Sequence, residues 1–255
     1  MRGPRRARLY ALTIVAVLAV WTALTSLTSP GPVEPLLLPS PGSTGAALWQ
    51  VLGGGTATLE PVLVTLGEAA TAFALAGAVA VLLGVVTGSV PVLRQAYEPV
   101  ATGLSALPLV VLYPVLAATL GIGAESKIAL GGLYAFFTVV IATMRATGTV
   151  DLRLTAAARA MGAGRVRHLC SVVLPDVLSP VLASLRVGLG LALVTVIAGE
   201  FISGAQGVGY ELGMSSQSLD TPTLFAWVIV ACALTVLVNV LFSLCSLVVR
   251  KGVYR

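Results

Sequence analysis

Few residues in this chain could carry reaction chemistry. His168 is the single histidine, with no second histidine and no nucleophile beside it. Cys170, Cys232 and Cys245 have neither CxxC nor Cys/His metal spacing, and their odd number argues against a disulfide framework. HExxH and GxSxG are both missing, so an intramembrane hydrolase has no zinc site or serine elbow to work with. There is no GxxxxGK[ST] phosphate loop, so the chain lacks the amide cradle and lysine that bind ATP phosphates. GAQGVG at residues 204–209 follows no strand of a βαβ unit and fits a flexible turn. Neither a catalytic residue nor a resident metal or cofactor is expected.

Ionisable residues inside apolar stretches are the better candidates. Arg186 and Glu200 stand fourteen residues apart, which on a helix is about 21 Å along the axis with an azimuthal offset of only about 40°. They share a face without pairing directly. A charge near the middle of a bilayer-spanning helix costs about 2.5–3.5 kcal/mol on insertion scales, so that face is expected to line a translocation path. Snorkelling of Arg186 and interfacial solvation of Glu200 are the competing explanations. Glu68, near the start of another apolar stretch, is expected to be solvated at the membrane interface.

The segment TVDLRLTAAARAMGAGRVRHLCSVVLP, residues 149–175, is too charged to span lipid and too patterned to be a slack loop. It reads as two short helices. Asp151 can cap the first, in which Leu154, Ala158 and Met161 fall on one face. Gly162 and Gly164 permit a turn, and Val166, Leu169, Cys170 and Val173 give the second helix its apolar face.

Composition determines what must position these residues. Of 255 residues, 57% are hydrophobic and only 10% charged, with a mean hydropathy of +1.00, whereas a soluble domain carries about a quarter charged residues. Lipid must cover most of the surface. A hydrocarbon core of about 30 Å calls for roughly 20 apolar residues per helix, and six stretches qualify: 9–28, 63–89, 100–120, 128–147, 177–202 and 223–249. The fold class is therefore all-α integral membrane with six transmembrane helices. A signal peptide is the rival reading of the first stretch, but the apolar run is longer than its usual core of about 7–15 residues, and an uncleaved anchor fits better.

With the amino terminus inside, nearly all the bases fall inside or at an inner boundary, while Lys127 alone falls outside. That asymmetry follows the positive-inside rule. It accounts for an isoelectric point near 9.4 without nucleic acid. The resulting organisation is an anchor helix (1–28), a proline-rich outer connector (29–62) with a short interfacial helix at 45–54, a core (63–249) containing the 149–175 loop, and a cytoplasmic tail (250–255). In the second span Ala72, Ala76, Ala80, Gly84 and Gly88 recur every fourth residue. This small-residue stripe lets a neighbouring helix approach closely.

The 149–175 loop also carries a family resemblance. ABC importer permeases have a cytoplasmic signature reading EAA, three residues, Gly, nine residues, then aliphatic-x-Leu-Pro. Here Ala156, Ala157 and Ala158 are followed at that spacing by Gly162 and by Val172, Val173, Leu174 and Pro175. Ala156 stands where the motif usually has glutamate, which removes a charged contact without disturbing the helix. LLPSP (37–41), LGIGAESKIAL (120–130), VVLPDVLSPVLASLRVGLGLA (172–192) and AGEFISGAQGVGYEL (198–212) extend the likeness over nearly the whole chain. It resembles the permeases for nitrate, taurine and aliphatic sulfonates, a subgroup that includes transporters of thiamine-pyrimidine precursors.

The resemblance implies a type I ABC importer permease fold with cytoplasmic coupling helices. Ala156, Ala157, Ala158, Arg159, Gly162, Arg165, Leu174 and Pro175 would form the ATPase-coupling element. It further implies two cytosolic ATPase subunits carrying ATP and Mg, a second permease copy in a homodimer, an extracytoplasmic solute-binding protein and a small-molecule substrate. An ATP-independent channel or secondary transporter is the alternative, and it would work on an ion gradient without any ATPase.

Overall fold

A computed structural model describes residues 3–27 and 37–253, all of it helix and connecting turns. Helix α1 spans Gly3–Leu27, and the predicted connector residues 28–36 lie outside the described residues, as do 254–255 of the tail. The interfacial helix begins earlier than expected: α2 is Pro41–Gly53, with Pro41 in its first turn and the Ser40 hydroxyl accepting from the Ser43 amide. Proline is at home there because its missing N–H would have no helical partner anyway. Trp21 of α1 donates its indole N–H to the Pro39 carbonyl at 3.0 Å, which ties the anchor to the connector.

The core is built on three long helices, α3 (Thr56–Ser89), α6 (Ala124–Gly148) and α9 (Leu174–Ser203). The four-residue stripe of α3 is what brings α3 and α6 together. A Cβ added at Gly84 would lie 2.6 Å from Thr143 Cβ, and one at Gly88 would lie 2.5 Å from the Met144 carbonyl oxygen. Only glycine allows that approach, as expected where packing rather than the hydrophobic effect joins helices. On the other side of α6, Gly131 meets the Ala192 carbonyl and Gly188 meets Val139 and Ala135, so α9 packs through small residues as well. Ala69, Leu193, Val196, Val208 and Trp227 fill one buried cluster, and Ala80, Val139, Val140 and Met144 another.

The third predicted span is corrected. Residues 100–120 do not form one helix: α4 (Pro91–Ser105) and a second stretch, Leu109–Leu120, meet at 77°. The second stretch is a 3₁₀ turn, Leu109–Leu112, continued by α5 (Tyr113–Leu120). Pro108 removes an amide and disfavours helical backbone at Leu107, and the chain breaks here, whereas Pro99 is accommodated inside α4. Helix α4 also starts at Pro91, inside what the charge pattern assigns to a loop. Among the described residues, four unbroken helices are long and apolar enough to cross a membrane: α3, α6, Ser171–Ser203 and α11 (Thr221–Val253). The bent pair makes a fifth. The first predicted span, 9–28, overlaps α1, whose side chains are described only in part from Leu12 onward.

These helices give the bundle two ends. One carries the 149–175 loop together with the carboxyl-terminal ends of α3, α6 and α11. The opposite end carries α2, α5 and α10 (Val208–Gln217).

Candidate functional site: a coupling loop, a buried polar layer and an arginine-lined cavity

At the loop end, α7 runs Leu152–Ala160. Asp151 starts it as expected, since its carboxylate accepts from the Arg153 amide at 2.8 Å and its carbonyl from the Thr155 amide at 3.2 Å. Gly162 ends it at φ +75°. In that left-handed conformation the Ala163 amide reaches back to the Ala158 carbonyl at 3.0 Å, closing the helix terminus in the way only glycine adopts cheaply.

The second short helix is not separate. Helix α8 (Arg165–His168) continues through a π turn, Leu169–Val173, directly into α9. The wider turn precedes Pro175, whose ring would collide with the Ser171 carbonyl in an unbroken α-helix. His168 Nε2 lies 3.2 Å from Thr155 Oγ1 and clasps the two arms.

This loop presents apolar groups outward. Leu154, Ala157, Met161, Val172 and Pro175 line a cavity of about 340 Å³, and Met161 is 80% exposed while Ala158 beside it is buried. The shared face of Leu154, Ala158 and Met161 thus divides between packing inward and presentation outward. Ala156, the position of the missing glutamate, is exposed. Arg159 and Arg165 side chains lie outside the described residues.

At the opposite end the structure assembles a polar layer that the sequence pattern does not anticipate. Glu68 and Lys127 form an ion pair at 2.7 Å with both side chains buried. Glu68 is therefore not solvated at an interface, and Lys127 is not a loop residue: it belongs to the first turn and a half of α6. Glu200 is 1% exposed. Thr65 Oγ1 lies 2.8 and 2.9 Å from its two carboxylate oxygens, and the Gly209 amide donates to Oε2 at 2.8 Å. The Val208 amide donates in turn to Thr65 Oγ1 at 2.9 Å. Nearby, the hydroxyls of Tyr113 and Ser203 are 2.8 Å apart. Interfacial solvation of Glu200 does not fit this enclosure, in which the neighbours of its carboxylate come from α3 and the start of α10. The missed signal was the depth match of Glu68 and Lys127, which lie near the amino-terminal ends of two parallel helices, one of them a single residue outside the predicted span 128–147.

Arg186 has a different setting. It is exposed on α9, and with Ser179, Asn239, Ser243, Ser246 and Arg250 it lines a cavity of about 540 Å³ between α9 and α11 that has no acidic lining residue. Twelve residues from the start of α9, it sits about 18 Å along the helix. Arg186 and Glu200 thus part company: one opens on a cavity, the other is sealed within the bundle. Among the described residues no group of three His, Cys, Asp or Glu side chains could hold a metal ion.

Comparison with known proteins is consistent with this geometry. Residues 80–253 match the model of the binding-protein-dependent transport system inner membrane component family. A probable ABC transporter permease protein of Brucella melitensis is 31% identical over 80% of this chain and 79% of its own length. The riboflavin transport system permease protein RibX of Chloroflexus aurantiacus is 30% identical over 91% and 85%, and the taurine transport system permease protein TauC of Escherichia coli 28% identical over 86% and 80%. Among solved structures, an inward-facing form of the MetNI methionine ABC transporter matches with a TM-score of 0.56 at 18% identity, covering 88% of this chain and all of that one, which establishes the shared fold. With loop, bundle and family in agreement, the chain belongs to the binding-protein-dependent inner membrane component family and is the multi-pass permease subunit of an ATP-driven ABC importer, not itself an enzyme.

Proposed function

We propose that two copies of this chain form a homodimeric pore, with the 149–175 loop of each docked on a cytosolic ATPase subunit that holds ATP and Mg, and with an extracytoplasmic binding protein delivering solute to the opposite end. Amino and carboxyl termini then lie in the cytoplasm. ATP binding draws the ATPases together and moves the loops, which favours outward access; hydrolysis resets the inward state. The observation that carries this reading is the construction of the loop. A capped helix with an outward apolar face turns at the left-handed Gly162 into α8, which runs without a break into the long helix α9, so displacement of α7 is delivered through this turn to the membrane-spanning core. Rigid elements moving about an interface are a standard way to switch access.

Arg186 is placed on the translocation path. A guanidinium exposed at mid-span would be costly against lipid, and a water-filled path between two permeases removes that cost. The second guanidinium of Arg250 and an acid-free lining support a small solute of the nitrate, taurine or aliphatic-sulfonate type. The decisive test is reconstitution of permease, ATPase and binding protein in vesicles, with each candidate solute assayed for binding-protein-stimulated ATPase activity. Stimulation by a sulfonate or taurine, abolished by Arg186→Gln, supports the assignment. Stimulation by an uncharged solute only, or an unaffected Arg186→Gln variant, refutes it.

A further inference from the structure

The buried carboxylate of Glu200 lies apart from the coupling loop and from the Arg186 cavity, and its surroundings are closely constrained. Both amides that reach the cluster can only donate: Gly209 N–H to Glu200 Oε2, and Val208 N–H to Thr65 Oγ1. The Thr65 hydroxyl has a single proton, which goes to the carboxylate oxygens 2.8 and 2.9 Å away. The Glu200 carboxylate therefore accepts from the α3 hydroxyl and from the turn amide at once, and bridges the two. The backbone is matched to the carboxylate as closely. Gly207 has φ +108°, and a Cβ there would strike the Glu200 carboxyl group; a Cβ at Gly209 would strike the Ile197 carbonyl and approach Glu200 Cβ to 2.6 Å. Gly204 N–H closes on the Glu200 carbonyl at 2.7 Å.

We propose that Glu200 is a positioning residue that latches the 204–209 turn and α10 onto α3, so that the ends of α3, α9 and α10 opposite the coupling loop swing as one body when access changes. The proposal rests on the alternating-access reading above. Without the latch, α10 keeps its apolar packing through Val208 and Leu212 but loses its polar tie to α3, and motion delivered along α9 is passed less completely across the end that receives solute. Thr65 shares the role, because its hydroxyl bridges the turn amide and the carboxylate.

The test uses the full complex of permease, ATPase and binding protein in lipid nanodiscs and vesicles, in a background lacking Cys170, Cys232 and Cys245. Spin labels at Leu63→Cys on α3 and Met214→Cys on α10, both exposed positions, report the distance across the latch with and without ATP. In the otherwise unaltered protein the distribution is narrow and has the same centre in both states. Thr65→Val and Glu200→Gln broaden it and lower solute moved per ATP hydrolysed at least tenfold, with ATP hydrolysis retained, while Thr65→Ser keeps the parental behaviour. A distribution that shifts with ATP in the parent, or Thr65→Ser behaving like Thr65→Val, overturns the latch, as does unchanged transport per ATP in Thr65→Val. Failure of the parent complex to transport anything defeats the alternating-access reading instead, which separates the two.

Discussion

The side chains that matter most at the residue scale are those whose removal leaves a neighbour stranded. Glu68 and Lys127 are buried together, so Lys127→Met leaves a carboxylate without its cation, a change worth about 3–5 kcal/mol in buried pairs. The expected result is a marked drop in the Tm of the purified complex, most of it recovered in the double variant Glu68→Leu with Lys127→Met. A double variant no more stable than the single would contradict a net role for the pair. Small residues act by the opposite logic. Gly88→Ala forces a Cβ against the Met144 carbonyl, where overpacking costs about 1–3 kcal/mol, whereas an added Cβ at Gly103 meets nothing within 4 Å. Thermal unfolding should separate the two alanine variants clearly. The stripe from Ala72 to Gly88 was legible in the sequence because its spacing is a helical period. The Glu68–Lys127 and Glu200–Thr65 contacts were not, because they join residues 59 and 135 positions apart and no single-helix periodicity encodes them.

Among the elements, the loop and the broken span have contrasting origins. The loop was readable in outline: cap, glycine turn and Leu-Pro ending all fall where local chemistry dictates. What local chemistry does not reveal is that α8 continues into α9 through a π turn, since that depends on how Pro175 is accommodated. Gly162→Pro demands φ near about −65° where the chain has +75°. It should abolish most ATP-coupled uptake while membrane insertion, judged by protease protection, stays intact. Normal uptake would contradict the lever. The bend at residues 106–108 was hidden because hydropathy reports composition, not continuity, and Pro108 sits in an otherwise unbroken apolar run. Irregular backbone at membrane depth is tolerated only inside protein or against water, and Leu107 is exposed in the single chain. Leu107→Cys should therefore react with a membrane-impermeant thiol reagent in the assembled complex, whereas Leu75→Cys, exposed on α3, should stay inert in lipid. Equal labelling would refute a water-lined break.

For the whole molecule, one bundle places three polar constructions at different depths: the 149–175 loop at one end, an arginine-lined cavity partway along, and a sealed ionic layer at the other end. Helical class followed from apolar content alone, because a closed barrel aside, lipid leaves the backbone no other way to satisfy its hydrogen bonds, but the number of unbroken spans did not. Depth and enclosure required tertiary structure, and they divided Arg186 from Glu200 although both lie on one helix at nearly one azimuth. The account's central claim is that ATP hydrolysis on a partner subunit drives solute through this bundle by way of the 149–175 loop. It is tested most directly by measuring solute uptake in sealed vesicles containing the permease alone, the permease with its ATPase, and the same complex carrying Gly162→Pro, each with binding protein and solute outside and ATP within. Uptake only in the intact complex with ATP is the predicted result. Uptake by the permease alone, with no ATPase present, would contradict it.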